Sequence, residues 1–273
     1  MSALQSLRPA ISGVVRNPIL LVITGLYGLV QLPQLALQEQ DPLLATAVSL
    51  GVTGLMIFLL PFFQGGVIGM ASEAIAGRTT LGTLLRSGKS NYVSLLLAYF
   101  VLLAVNFAFG MFVFFGILIG GVSVVAGGGE PGIAVLAVLG LFGLVALLGY
   151  LLVTFFVQFY AHAIVLSDTD LVGGFKTSVG LVRDNILSVV GYTAVLLCGS
   201  AILGGVGVGA SFLFTADQST GVPVPELSLP VLVAAGVAYL VAVAIGGAFY
   251  ATYSVAFYQN IRSDDRRPST TGY

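Results

Sequence analysis

Six long stretches of the sequence contain no charged residue. They run over residues 17–38, 42–72, 90–129, 131–167, 185–216 and 227–261, and each is between 22 and 40 residues long. A helix rises about 1.5 Å per residue, so about 20 apolar residues are enough to cross a hydrocarbon core about 30 Å thick. The pattern predicts an all-α, polytopic integral membrane protein with six transmembrane helices.

The composition indicates that most of the chain is not in contact with water. Hydrophobic residues make up 58% of the sequence and charged residues only 8%, whereas about 25% of residues are charged in a typical soluble domain. So few charged side chains cannot cover a water-soluble surface, which predicts membrane lipids as partners. The net charge of −1 gives no basis for a nucleic-acid partner.

The positively charged residues support the count of six spans and orient them. Six spans place all ten Lys and Arg residues on one side of the membrane: Arg8, Arg16, Arg78, Arg86, Lys89, Lys176, Arg183, Arg262, Arg266 and Arg267. The opposite loops hold only acidic charges: Glu39, Asp41, Glu130, Asp217 and Glu226. Cytoplasmic loops carry an excess of Lys and Arg, so both termini are expected on the cytoplasmic side of the plasma membrane. Dividing residues 90–129 into two spans would instead split the cations five to five.

Internal similarity groups the predicted spans into three repeated two-helix hairpins. A shift of 94 residues places Gln64 on Gln158 and Lys89 on Arg183. Each hairpin is preceded by a short stretch whose apolar residues recur every three or four positions. This spacing is typical of an amphipathic helix at the cytoplasmic membrane interface, and ordinary loop turns are the alternative.

We therefore expect a single transmembrane domain over residues 1–262, followed by a flexible cytoplasmic tail over residues 263–273. The spans are predicted at about residues 18–37, 43–72, 92–126, 132–166, 186–215 and 229–261. Aromatic residues such as Phe62, Phe156, Tyr253 and Phe257 cluster in the later parts of the even-numbered spans. They predict an aromatic belt at the headgroup level, with the lining of an apolar cavity as the alternative for the deeper rings.

Four uncharged polar residues are candidates for an intramembrane polar layer. Gln64, Gln158 and Thr252 occupy equivalent positions in the three even-numbered spans, and Asn106 lies deep in the third span. If the hairpins pack around a pseudo-threefold axis, the first three side chains face one another. Interhelical hydrogen bonds worth about 0.6 to 2 kcal/mol each would explain such a layer structurally, and substrate binding is the alternative.

Two further candidates are titratable. His162 is the only histidine, and it is a candidate proton-relay site or, as we favour, a neutral hydrogen-bonding residue, because no charged residue lies in the same span. Glu73 and Arg78 lie near the end of the second span and are predicted to form an interfacial ion pair.

The patterns expected of an enzyme are not found. A single cysteine, Cys198, allows no intrachain disulfide, and the sequence has no Ser/His/Asp set or HExxH motif. The segment from Gly82 to Lys89 is similar to a phosphate-binding loop, but five residues rather than four separate Gly82 from Gly88. The sequence predicts no enzymatic activity, no cofactor and no metal site.

Short motifs precede the odd-numbered spans: Arg16-Asn17-Pro18, Lys89-Ser90-Asn91 and Arg183-Asp184-Asn185. With this layout the chain resembles six-span membrane proteins of uncharacterised function from halophilic archaea. It is also similar to the membrane domain of some glycerophosphodiester phosphodiesterases, although no catalytic residue can be carried over. The resemblance implies an architecture, and we expect a non-enzymatic binding or accessory scaffold role, with other membrane proteins or a second copy as partners. A transporter or carrier of a lipid or small hydrophobic molecule is the alternative.

Overall fold

The computed structural model describes residues 2–37, 42–126, 132–219 and 229–265, which form eleven helices and no strand. The helices are α1 (Ser2–Gln5), α2 (Leu7–Arg16), α3 (Ile19–Leu37), α4 (Pro42–Ala76), α5 (Leu81–Ser90), α6 (Tyr92–Ala126), α7 (Ile133–Val157), α8 (Tyr160–Ser167), α9 (Leu171–Asp184), α10 (Ile186–Ser219) and α11 (Leu229–Asp265). The predicted all-α class is confirmed. The acidic loop residues Glu39, Asp41, Glu130 and Glu226 lie outside the described residues.

Four helical segments are long and apolar enough to cross a membrane: Thr46–Ala76, Tyr92–Val122, Ile133–Ser167 and Val233–Ser263. Two further candidates are pairs of helices separated by a short break, α2 with α3 and α9 with α10; the first pair bends by 86°. The described part of the chain therefore contains between four and six candidate spans. Helix α11 continues to Asp265, so residues 263–265 are helical where the sequence predicts a flexible tail. Residues 266–273 of that predicted tail lie outside the described residues.

Contacts between residues divide the chain into two compact units. The first unit combines Met1–Tyr92 with Asp184–Tyr273, and the second unit is Val93–Arg183. The first contains α1 to α5, α10 and α11, whereas the second contains α6 to α9. A single domain over residues 1–262 stays a prediction.

Helix α11 is the centre of the first unit and packs against α2, α3, α4 and α10. Eight consecutive residues, 251–258, are buried. Because successive residues of a helix point in all directions around its axis, this part of α11 is enclosed on every side. The rings of Tyr192 and Phe257 stack here with centroids 4.4 Å apart, and Tyr192 also stacks on Tyr253 at 5.3 Å.

This aromatic cluster differs from the belt that the sequence predicts. Tyr253, Phe257 and Tyr258 are fully buried core residues, so they neither face the headgroups nor line a cavity. Tyr250, the residue immediately before the buried segment, is exposed. Sequence position alone could not separate the two groups, because whether a ring on α11 is covered depends on how closely α2 and α10 approach it.

Helices α3 and α11 approach closely through small residues. Thr24 Oγ1 donates a hydrogen bond to the carbonyl oxygen of Ala244 at 2.8 Å, and a methyl group added at Gly247 would lie 2.9 Å from Thr24 Cβ. A methyl group at Gly28 would lie 3.0 Å from Val243. Glycine allows helix backbones in a membrane to approach closely enough for such contacts.

Many large apolar side chains on the exterior have no protein neighbour to cover them. Ile133 is 88% exposed and Leu187 is 89% exposed. Leaving such a side chain in water instead of an apolar environment costs about 1.5 to 3 kcal/mol. The exposed apolar surface and the long apolar helices together indicate a membrane protein.

Candidate functional site

Several polar contacts in the first unit lie where short helices pack on longer ones. Helix α5 runs antiparallel to α4 and very close to it. A methyl group added at Gly66 would lie 2.7 Å from the carbonyl oxygen of Leu84, and one added at Gly88 would lie 2.8 Å from that of Phe62. The glycines therefore hold α5 directly against the backbone of α4.

Asn17 joins three segments at this end of the first unit. It follows α2, is 3% exposed, and donates from its side-chain nitrogen to the carbonyl oxygens of Gly13 at 2.9 Å and Gly77 at 3.1 Å, with a longer contact to Ala74 at 3.4 Å. Its Oδ1 accepts from the backbone N–H of Thr79 at 2.9 Å. The last carbonyls of a helix have no partner within that helix, so Asn17 caps the end of α4 from a distant part of the chain.

Glu73 forms a second polar contact beside this cap. Its Oε2 accepts hydrogen bonds from the hydroxyls of Thr79, at 3.3 Å, and Thr83. Thr83 lies in the first turn of α5, where the partial positive charge of a helix N-terminus favours a nearby carboxylate. Arg78 is exposed, and its predicted ion pair with Glu73 stays a prediction.

In the second unit, the candidate span Ile133–Ser167 is interrupted by two residues that are not helical. Helix α7 ends at Val157 and α8 begins at Tyr160, which frees backbone groups on both sides of the break. The Ser178 hydroxyl of α9 binds two of them: it accepts from the N–H of Phe159 at 3.0 Å and donates to the carbonyl oxygen of Phe156 at 2.9 Å. Gln158 lies in the break and donates to the carbonyl oxygen of Phe155 at 2.8 Å.

His162 lies in α8, one turn after the break. The side chain is 6% exposed, and its ring meets Phe159 edge-on with centroids 5.8 Å apart. Burial of this kind fits a residue that packs within the second unit. A proton-relay role for His162 stays a prediction.

The four residues of the predicted polar layer are divided between the units. Gln64 and Thr252 belong to the first unit, and Asn106 and Gln158 to the second. Thr252 is buried and donates to the carbonyl oxygen of Ala248 in its own helix at 2.9 Å. Asn106 donates to the carbonyl oxygen of Leu102 at 2.8 Å and accepts from the hydroxyl of Tyr150 at 3.1 Å. The layer as a whole stays a prediction.

Among the described residues, no group of three His, Cys, Asp or Glu side chains is placed to hold a metal ion. The polar contacts described above are hydrogen bonds of amides, hydroxyls and one carboxylate to the backbone or to nearby hydroxyls. They are suited to holding helices together.

A family model described as a domain of unknown function, DUF7847, matches residues 1–261. The chain belongs to this family. The DUF7847 match extends from α1 to the last turns of α11, so the Asn17 cap, the Glu73 contacts and the Ser178 contact all lie within the family domain. Comparison with curated proteins and with solved structures found no match.

The sequence does not indicate the roles of Asn17 and Ser178 in this DUF7847 domain. Asn17 belongs to one of the three short motifs before the odd-numbered spans, so the sequence marks it as a recurring residue. Its hydrogen-bond partners at Gly77 and Thr79 could not be read from the sequence. Ser178 lies in an amphipathic stretch and is fully buried. The sequence signal that could have singled out Ser178 is its position among the apolar residues of that stretch, because a polar side chain on a buried face needs a hydrogen-bond partner.

Proposed function

We propose that the protein is a non-enzymatic binding or accessory scaffold component of the plasma membrane, with six spans and both termini in the cytoplasm. The observation that carries this proposal is the way in which polar side chains of the long helices are used. Thr252, Gln158 and Asn106 each donate to a backbone carbonyl oxygen three or four residues earlier in the chain. The donors of these side chains have backbone partners within the protein and do not require a bound substrate.

The orientation is supported by contacts that bring cationic segments of the first unit together. Gly13 of α2 packs on Ala74 and Ile75 at the end of α4, close in sequence to Arg16 and Arg78. Gln259 lies near the end of α11, three residues before Arg262, and its side chain donates to the Ser72 hydroxyl at 3.0 Å. Cations gathered at one end of a membrane protein favour the cytoplasmic side for that end.

The threefold repeat is supported by a recurring pairing of short and long helices. α5 packs on α4, α2 packs on α11, and α9 packs on the α7–α8 segment through Ser178. An asparagine follows each short helix: Asn17, Asn91 and Asn185. On this basis α2, α5 and α9 lie at the cytoplasmic ends of the spans, while α3 and α10 cross the membrane as the first and fifth spans. Helix α3 has 19 residues, a length of about 28 Å.

A carrier of a lipid or small hydrophobic molecule is the second candidate function, and one observation favours it. The fourth span is discontinuous, with α7 and α8 separated at Gln158 and Phe159. Interrupted spans are used by transporters to bind substrates and to change conformation. In this chain Ser178 binds the freed backbone groups, which favours a static break and therefore the scaffold.

Native mass spectrometry of the full chain, released gently from its own membrane, tests the choice. We expect a stoichiometric protein partner or a second copy, and any retained small molecule should be unaffected by replacing Gln64 and Gln158 with Leu and Thr252 with Val. Ser90→Ala is a surface control for handling. A metabolite or lipid that is retained by the wild type and lost in the triple variant, but not in Ser90→Ala, would overturn the scaffold proposal in favour of the carrier.

A further inference from the structure

A groove on the first unit combines an apolar wall with a single cation at its end. It is lined by Leu55, Phe58, Leu59, Phe62, Lys89 and Tyr92 and has a volume of about 450 Å³. The four α4 residues follow one another at helical spacing, so they form a continuous apolar strip. The volume lies in the range of sites that hold small molecules, about 300 to 1,000 Å³.

The backbone at Lys89 has a defined position because the residues on both sides of it contact α4. Gly88 packs against the carbonyl oxygen of Phe62, where an added methyl group would lie at 2.8 Å. The Tyr92 hydroxyl donates to the carbonyl oxygen of Phe58 at 3.1 Å. Lys89 lies between these two contacts, and its side chain is exposed. It also precedes the apolar segment Tyr92–Val122 by three residues, a position typical of the membrane–water boundary.

We propose that this groove binds an anionic membrane lipid, with an acyl chain along α4 and the headgroup phosphate at the Lys89 ammonium. Charge complementarity identifies the occupant: the described lining contains one cation and no Asp or Glu, and an exposed lysine at the boundary attracts the phosphate of anionic lipids. A zwitterionic lipid fills the apolar wall equally well but gains less from Lys89. The site rests only on the membrane location in the proposed function, not on the scaffold role.

Arg86 provides a matched control. It is one turn before Lys89 on the same helix, carries the same charge and is exposed, but it does not line the groove. General attraction of anionic lipids to the cationic surface depends on both residues, whereas binding in the groove depends on Lys89.

The experiment measures lipids bound to the full-length protein by native mass spectrometry in an equimolar mixture of phosphatidylglycerol and phosphatidylcholine with identical acyl chains. We expect Lys89→Gln to lower the ratio of phosphatidylglycerol to phosphatidylcholine in the first bound lipid by about fivefold, the size expected for one cation near the surface. Arg86→Gln should change it less than twofold. Leu59→Trp, which fills the groove, should lower the binding of both lipids.

An unchanged ratio in Lys89→Gln, or equal changes in Lys89→Gln and Arg86→Gln, would overturn the proposal. Both results leave the membrane location and the scaffold role untouched, because the first rests on the long apolar helices and the second is read from protein partners.

Discussion

The side-chain Oδ1 of Asn17 accepts a hydrogen bond from the backbone N–H of Thr79 at 2.9 Å, across 62 positions of sequence. The same carboxamide donates to Gly77 at 3.1 Å. One buried side chain therefore ties the corner between α2 and α3 to the turn between α4 and α5. Since the first and second predicted spans meet here, the contact fixes the geometry of the first hairpin.

Replacing Asn17 with Ala should destabilise the protein by about 2 to 3 kcal/mol, because it leaves a buried N–H and a helix-terminal carbonyl without partners. The free energy of unfolding, measured by denaturant titration in detergent micelles, checks this. Asn91→Ala is the matched control. Asn91 also follows a short helix, but it is half-buried and donates only within its own neighbourhood, to Ser87 at 3.0 Å and to Ser90. A loss of similar size in both variants would show that Asn17 has no special role.

Replacing Ser178 with Ala should loosen the break between α7 and α8. Without the hydroxyl, the N–H of Phe159 loses its acceptor and the carbonyl of Phe156 loses a donor, at a cost of about 1 to 3 kcal/mol. Hydrogen exchange at the Phe159 amide should become about fivefold faster or more. Ser90→Ala, which removes an exposed hydroxyl bound to Ser87, should leave that rate unchanged. Unaltered exchange in Ser178→Ala would mean that the break is held by packing alone.

Much of the fold was predictable because a membrane constrains segment length and charge placement. Helix α6, Tyr92–Ala126, coincides with the predicted span at residues 92–126, and α3 and α10 begin within one residue of their predicted starts. Hydrocarbon thickness and the cost of burying charge dictate these boundaries, and both can be read locally.

The break at Gln158 and the cap at Asn17 were not predictable in the same way. Residues 131–167 contain no charged residue, and nothing in them marks Gln158 as a helix end. What stabilises the break is Ser178, 19 positions away from Phe159. Likewise the partners of Asn17 are 60 and 62 positions distant. Such contacts depend on tertiary packing, which hydropathy and spacing do not encode.

Mutations can separate the two interactions considered for Glu73, which are its hydrogen bonds to threonine hydroxyls and its predicted ion pair with Arg78. If hydrogen bonds to hydroxyls are its main role, a double-mutant cycle of Glu73→Ala with Thr83→Val should give a coupling energy of about 1 kcal/mol. The cycle of Glu73→Gln with Arg78→Gln should then give a value near zero, since an exposed ion pair contributes little. Unfolding free energies of the single and double variants provide both numbers. A larger coupling with Arg78 than with Thr83 would instead support the ion pair.

Gly66→Ala should destabilise the packing of α5 on α4 by about 1 to 3 kcal/mol, because the added methyl group meets the backbone carbonyl of Leu84, which cannot move aside cheaply. Gly54→Ala is a control within the same helix. An added methyl group there has no neighbour within 4 Å, so the higher helix propensity of Ala should make the change neutral or slightly stabilising. Equal destabilisation of the two variants, by denaturant titration, would argue against close packing at Gly66.

The proposed orientation predicts which positions react from outside the cell. In a Cys198→Ser background, Ser263→Cys at the exposed end of α11 should be protected from a membrane-impermeant maleimide in intact cells and should react once the cells are opened. Asp217→Cys, near the C-terminal end of α10, should react in intact cells. Both positions are needed because they test different parts of the proposal. Ser263→Cys reports the side of the C-terminus, and Asp217→Cys reports whether the chain crosses the membrane between the two positions. Reaction of Ser263→Cys in intact cells would place the C-terminus outside, and protection of both positions until lysis would exclude an outward loop between α10 and α11.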